Sequence, residues 1–158
     1  MADCGKKMIF TGLYEHSVDD KGRVAVPSKL KKISDGAAIT MLKVTRGPDN
    51  CLYCYTEEEW ERVVSVLQSK VETLPFGTGK NRAFIRLFIG EAFSCTLDKI
   101  GRIAIPENLL KLAGINQNVV FVGSLDHIEL WSKERWDEYF DKNNDNFEDY
   151  LDDIVKKG

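Results

Sequence analysis

Histidine and cysteine are scarce in this sequence of 158 residues: His16 and His127 are the only two of the first, and Cys4, Cys51, Cys54 and Cys95 the only four of the second. Two histidines leave no His-rich metal pattern, and four cysteines lack the density of a secreted disulfide framework, so they fit a reducing compartment. Cys51-Leu52-Tyr53-Cys54 has the spacing of a redox pair or half a zinc site. There is no second cysteine pair, however, and the run reads as strand rather than helix start, so buried or half-buried strand cysteines are expected. Long apolar runs are also missing. None approaches the ~20 residues that span a bilayer, and the first nine residues, with Asp3, Lys6 and Lys7, hold no signal-peptide core. Walker-type loops, Gly-x-Gly-x-x-Gly and Gly-x-Ser-x-Gly are absent, and the acids mostly occupy turns, caps and the tail. No catalytic constellation emerges. The sequence reads as a cytoplasmic non-enzyme without cofactor, metal, small-molecule substrate or membrane partner.

Basic residues are outnumbered, 22 to 25, for a formal charge of -3, which by itself argues against a nucleic-acid binder. The sum hides an alternation. Residues 1–32 carry +3, 33–76 carry -3, 77–114 carry +3 and 115–158 carry -6. With 43% hydrophobic and 30% charged residues, the chain has enough apolar material for a packed core.

An internal repeat organises it. Asp19-Asp20-Lys21-Gly22-Arg23-Val24-Ala25-Val26-Pro27-Ser28-Lys29-Leu30 matches residues 98–109, Asp-Lys-Ile-Gly-Arg-Ile-Ala-Ile-Pro-Glu-Asn-Leu, at an offset of 79, with 6 of 12 positions identical and two more exchanging Val for Ile. Similarity resumes at offset 76, where Cys51 to Trp60 aligns with His127 to Trp136. Two copies, each too small to bury its own apolar face, imply a pseudo-twofold pair around a shared core.

Alternation of Tyr14, His16 and Val18 with polar residues, then of Val24 and Val26 around Ala25, predicts two short strands meeting in a hairpin at Asp19 to Gly22. Asp98 and Gly101 punctuate the second copy in the same way. Pro27 and Pro106, at a first helical position, predict short helices over 27–33 and 106–113, with Gly114 a helix stop. Residues 39–44 and 119–122 read as buried strands, with 52–55 and 128–131 as neighbours. Thr56 with Glu59 forms a capping box for a helix whose stripe is Trp60, Val63, Val64, Leu67 and Val71. The matching helix after Ser132 is expected to bury Trp136, Tyr139 and Phe140. After a linker at 75–79, a helix is expected to turn Phe84, Leu87 and Phe88 inward. Its Arg82 and Arg86, four apart, read as a surface face or a subunit contact rather than a DNA contact. Phe147, Tyr150, Leu151 and Ile154 have helical spacing, so the acidic tail is either frayed or a peripheral amphipathic helix.

The repeated Asp-x-x-x-Arg has two readings. One is a capped turn with a surface ion pair worth ~0 to 1 kcal/mol. The other is an arginine pre-oriented by a carboxylate, whose planar fork suits phosphate or the O6/N7 edge of guanine. The second explains why the guanidinium recurs while its neighbour drifts from Lys21 to Ile100. Lys21, Lys29, Lys31, Lys32 and Lys99 lie close by in sequence and suit the salt-sensitive phosphate contribution.

The start Ile9-Phe10-Thr11-Gly12-Leu13-Tyr14-Glu15-His16 joins the paired Asp-x-x-Gly-Arg hairpins, each followed by Ala-Val-Pro or Ala-Ile-Pro. With Val119-Val120-Phe121-Val122-Gly123 and the run Glu129-Leu130-Trp131-Ser132-Lys133-Glu134-Arg135-Trp136, this closely resembles the MraZ family, bacterial regulators of the division and cell-wall gene cluster. The resemblance covers about residues 8–140. It implies an α+β, mainly β fold: two tandem AbrB-like swapped-hairpin domains forming a pseudo-twofold double-split β-barrel with peripheral helices. The corresponding division is 8–56 and 87–132 for the domains, 57–86 for a helical connection and 133–158 for a C-terminal helix and acidic tail. It implies ring-shaped homo-oligomers, a nucleoid-associated location, and sequence-specific binding of double-stranded DNA at short direct repeats upstream of the protein's own operon. The DNA-binding signature falls on Asp19 and Arg23 and on Asp98 and Arg102, with Lys21 and Lys99 beside them. The alternative is a protein-interaction module, as in antitoxins of related fold, with the tail as bait.

Overall fold

The computed structural model describes residues 9–31, 37–71 and 75–157. Cys4, Lys32 and the end of the helix expected over 27–33 lie outside the described residues. In chain order the elements are β1 (Leu13–Ser17), β2 (Arg23–Ala25), a 3-10 turn (Ser28–Leu30), β3 (Met41–Arg46), β4 (Leu52–Tyr55), α1 (Glu57–Val71), α2 (Gly79–Phe88), β5 (Phe93–Thr96), β6 (Arg102–Ala104), α3 (Glu107–Leu112), β7 (Asn118–Ser124), β8 (His127–Ser132), α4 (Lys133–Asn143) and α5 (Phe147–Lys157).

Strand order exposes the repeat. The six-stranded sheet runs β1-β7-β8-β4-β3-β5 with antiparallel pairing, and β2 pairs with β6 in a separate ribbon. The order is symmetric about the β8/β4 boundary. Each copy's first strand lies against the other copy's sheet, β1 on β7 and β5 on β3. The expected hairpins therefore have their turns but not their ladders. In the first, the turn bond from Gly22 N–H to Asp19 C=O is made at 3.1 Å, yet pairing across it stops at the single bridge Val18↔Val24. The strands part because β2 has one core-facing residue, Val24, and it finds its partner in Ile103 of the other copy.

Ribbon and sheet enclose one core. Val24, Ile103, Leu42, Leu52, Phe121 and Leu130, all nearly or fully buried, belong to it. Cys54 and Cys95 are in the same cluster and Cys51 in a smaller one beside Val120 and Trp131. Burial pushes the Cys95 thiol up to about 11 and raises those of Cys51 and Cys54 further, which suits inert strand cysteines.

Several local expectations need correction. The first short helix is only the 3-10 turn Ser28–Leu30, whereas its counterpart α3 is a true helix. Glu107 in the first turn of α3 complements the helix dipole, whereas copy one has Ser28 in its place and no acid there. Both prolines sit at the cap, with extended ψ of 139° and 142°, rather than at the first helical residue. Thr56 does cap α1 by accepting from Glu59 N–H at 3.3 Å, but the Glu59 carboxylate pairs with Arg62 and so does not complete the box. On α2 the inward residues are Phe88 and, half-buried, Ile85; Phe84 and Leu87 remain 46% and 45% exposed because no layer lies over that side. On α4, Trp136 is half-buried, and Tyr139 and Phe140 are exposed at 39% and 45%, set at a tilt against the rings of Trp131 and Trp136 rather than buried. The tail is a helix, α5, with no buried residue.

Candidate nucleic-acid interface

The β2–β6 ribbon is three residues long, and its register sets Arg23 opposite Ala104 and Arg102 opposite Ala25. Side chains alternate along a strand, so Val24 and Ile103 point into the core and the other four residues share the outward face. Ala25 and Ala104 are exposed. Being small, they leave the two arginines as the prominent groups of that face.

Each arginine is fixed in the same way. Asp19 Oδ1 accepts from Lys21 N–H and Arg23 N–H at 2.9 Å each, and its Oδ2 accepts from Arg23 Nε at 2.8 Å. Asp98 Oδ1 accepts from Ile100 N–H at 3.1 Å and Arg102 N–H at 2.9 Å, and its Oδ2 from Arg102 Nε at 2.8 Å. The hydrogen bond from the arginine's own backbone N–H leads in holding both carboxyls below the usual range; partial desolvation opposes it, and the guanidinium adds to it. The aspartate thus ties a turn, a backbone and a guanidinium together. Because Nε is the committed donor, the Nη groups of Arg23 make no hydrogen bond among the described residues. Arg102 also reaches across the pseudo-twofold, its Nη1 3.9 Å from Asp19 Oδ2. The arginine side chains keep 35% and 30% of their exposure, so they are ordered without being buried.

Glycine is required at both turns. Gly22 and Gly101 have φ of 77° and 83°, a region closed to most side chains. Their carbonyls each accept a bond across the ribbon, from Ile105 N–H and Val26 N–H, both at 2.9 Å. Lys21 and Lys99 are exposed at the turns, so all six expected site residues are gathered at one ribbon and its two turns. Lys31 is adjacent as well: a Cβ on Gly101 would meet its Nζ at 2.5 Å.

One positioning pair escaped the sequence reading. His16 Nδ1 bonds the Ala25 carbonyl, and Cys95 Sγ donates to the Ala104 carbonyl at 3.3 Å. These two residues are themselves 79 apart. Extending the repeat three residues upstream would have paired them, despite their different chemistry.

A second polar cluster lies on the outer face of the sheet. His127 is held between Asp126 at 2.8 Å and Glu129 at 2.9 Å, stacks on Tyr53 with centroids 4.0 Å apart, and is 12% exposed. Trp131 Nε1 also donates to Glu129, at 2.9 Å. Burial disfavours imidazolium here, but the two carboxylate bonds outweigh it and the His127 pKa is raised; Glu129 is lowered, its bonds from His127 and Trp131 outweighing its own burial.

Comparison with known proteins follows the same two-copy layout. The family model described as "MraZ protein, putative antitoxin-like" matches residues 9–86 and again 88–157. Proteins named transcriptional regulator MraZ are similar over most of the chain. That of Clostridium tetani is 42% identical over 137 residues, 87% of this chain and 91% of the relative. That of Natranaerobius thermophilus is 40% identical over 148 residues, 93% and 97% respectively, and that of a Thermoanaerobacter species 40% over 146 residues, 90% and 96%.

Proposed function

The chain belongs to the MraZ family, and from that premise we propose that it regulates transcription by binding double-stranded DNA sequence-specifically through the outward face of the β2–β6 ribbon. It is a transcriptional regulator and not an enzyme, as its relatives are named. One observation carries the finer reading: two Asp–Arg pairs built with the same atoms stand side by side on one exposed face. An arginine held at Nε presents its remaining donors in a fixed plane, the geometry that reads guanine or clamps phosphate. Asp19 and Asp98 position Arg23 and Arg102, while Lys21 and Lys99 neutralise phosphate. The targets are short direct repeats upstream of its own division and cell-wall gene cluster, in the cytoplasm and at the nucleoid. The sheet and ribbon together are read as a double-split barrel of two swapped hairpins, and copies of the chain as a ring. Among the described residues no helix is long and apolar enough to cross a membrane.

The test is fluorescence anisotropy with the DNA upstream of its own gene against a shuffled duplex, at stated salt. Arg23→Ala and Arg102→Ala each weaken binding roughly 10- to 100-fold, in line with ~1 to 3 kcal/mol per base-reading arginine. The double variant loses preference for the repeats. If the folded double variant retains wild-type affinity and preference, the ribbon is not the interface.

A second reading, an interaction module of the antitoxin type, is favoured by the exposed apolar side of α5. Deleting residues 141–158 separates them, because loss of a protein partner with DNA binding intact reveals the second role.

A further inference from the structure

A ribbon of two three-residue strands does not hold its own orientation, because two strands alone are marginal in water. Its inner edges are tied by the Val24↔Ile103 pair and by the bonds to the Gly22 and Gly101 carbonyls. Its outer edges are tied to the turns and the sheet. On β2, Asp19 accepts from the Arg23 N–H through Oδ1 and donates its own N–H to the Arg23 carbonyl, both at 2.9 Å. Two residues on, the Ala25 carbonyl takes a bond from His16 Nδ1. A carbonyl only accepts, so Nδ1 carries a proton. The imidazole is held from behind as well. It meets the fully buried Phe121 edge to face, centroids 5.5 Å apart, and its strand pairs with β7 through His16↔Val119. One ring therefore joins the packed sheet to the strand that carries Arg23. The matching tie on β6 is weaker, since Cys95 reaches the Ala104 carbonyl at 3.3 Å with a thiol, a poor donor.

We propose that His16 is a positioning residue for base reading: by bonding the Ala25 carbonyl it sets the plane in which Arg23 meets DNA, without touching DNA itself. The inference rests on the ribbon being the DNA interface. Arg23 is bonded to Asp19 through its backbone and its Nε, so guanidinium, turn and β2 move as one body. Past the arginine, the outer edge of that body is fixed at Ala25. Freed there, β2 pivots on its turn and carries the guanidinium with it. Paired hydrogen bonds to a base edge weaken steeply once their angles depart from linear. A lysine on phosphate is a point charge on a flexible stem, so it tolerates the same pivot, and phosphate contacts carry no sequence information. Losing the tie therefore costs preference between sequences and leaves attraction to DNA in place. The fold is little affected, because Ala25 is exposed and water can take over its carbonyl. Nδ1 is already committed and the ring is half-buried against Phe121, so His16 acts through Arg23 rather than on the bases.

The experiment measures binding of the full chain to the DNA upstream of its own gene and to a shuffled duplex across a salt series, with folding followed by thermal melting. His16→Leu keeps an apolar contact with Phe121 and removes the donor. It should lower the preference for the upstream duplex about ten-fold, the scale of one misaligned bidentate arginine, while affinity for shuffled DNA and the salt slope stay at wild-type values. A partly unfolded sample lowers both affinities together and leaves their ratio alone, so the ratio separates positioning from stability. His16→Asn sets an amide N–H where Nδ1 stood and should restore the ratio. If His16→Leu keeps the wild-type ratio, or if His16→Asn fails to restore it, the proposal is overturned. Should His16→Leu not fold, His16→Gln decides, since its donor lies one bond farther out; it should lower the ratio, and an unchanged ratio overturns the proposal. Arg23→Ala in the same series separates this inference from the reading beneath it. A ratio indifferent to Arg23 removes the interface and the role of His16 together, whereas a ratio that responds to Arg23 and not to His16 removes the role of His16 alone.

Discussion

The turns before β2 and β6 share their frames and differ in what they present. Asp, Gly and Arg recur with bond lengths that agree within 0.2 Å, and the ribbon bonds from Val26 and Ile105 mirror each other at 2.9 Å. Around this frame the free side chains diverge. Lys21 becomes Ile100, Asp20 becomes Lys99, and Lys31, lying on Gly101, is replaced at the equivalent place by Leu110, lying on Gly22. Repetition is retained where the backbone and the guanidinium depend on it and lost where a side chain stands alone. The pair is symmetric as a scaffold and asymmetric as a surface, so a ribbon of this kind has a direction.

The frame breaks most severely at its centre. Val24 and Ile103 face each other across the pseudo-twofold, at 1% and 0% exposure. Ile103→Ala should cost about 2 to 5 kcal/mol in urea unfolding, and Val24→Ala less by about 0.8 kcal/mol for its one fewer methylene. If either substitution is harmless, the two copies do not share a core there. Next come the glycines. A Cβ at either demands an unfavourable positive φ, roughly 1 to 2 kcal/mol, but their surroundings differ. At Gly22 the new atom lies 3.0 Å from the Ile105 carbonyl oxygen, which is fixed backbone, while at Gly101 the obstacle is the flexible end of Lys31. Gly22→Ala should therefore destabilise more than Gly101→Ala, and the reverse order would mean that Lys31 is locked in place.

Much of this frame was legible because a twelve-residue self-match carries both turns and both ribbon strands. Pairing was not legible. Tyr14, His16 and Val18 announce a strand with one buried face, but the alternation is equally satisfied by β2 of the same copy or by β7 of the other. The helices were placed well and oriented poorly, for a specific reason. Phe84, Leu87, Tyr139 and Phe140 have the spacing of a buried stripe, and spacing says which residues share a face without saying whether a layer covers it. The two candidate Asp–Arg pairs were singled out by repetition and by the family resemblance, since one Asp-x-x-x-Arg has no distinguishing composition. His16 and Cys95 were missed because two unlike side chains serve the same carbonyl-bonding role.

Farther from the ribbon the copies differ in ionisation. His127 and Glu129 align with Cys51 and Tyr53, so the polar cluster exists in the second copy only. His127, with its pKa raised on folding, contributes stability that is complete below its ordinary value of 6.5 and is lost as pH climbs through the higher folded value. Glu129 is opposite, contributing fully above 4.5 and losing its share as pH falls through the lower folded value. Stability attributable to the pair thus peaks between those two pH values. His127→Gln should flatten the decline above pH 6.5 in a series of urea midpoints. A variant that keeps the wild-type slope would show that His127 stays neutral between its carboxylates.

The smallest effect bears on direction. Lys21 and Ile100 occupy the same turn position, each with its backbone N–H bonded to Oδ1 of its own turn's aspartate, Asp19 and Asp98, so replacing either side chain leaves the frame standing. Lys21 carries a charge, whereas Ile100 is an apolar group 67% exposed, suited to a thymine methyl and useless to a phosphate. If both turns meet DNA, Lys21→Ala should reduce the slope of log affinity against log salt by about 0.9, one phosphate fewer. Ile100→Ala should leave that slope alone while lowering affinity for the preferred repeat, and Ile100→Lys should raise the slope by about the same 0.9. The last variant is the decisive one. It makes the two turns alike, so it should strengthen binding to any duplex while eroding the preference for one orientation of the repeat, and a preference that survives intact would place the ribbon's direction in some residue other than Ile100.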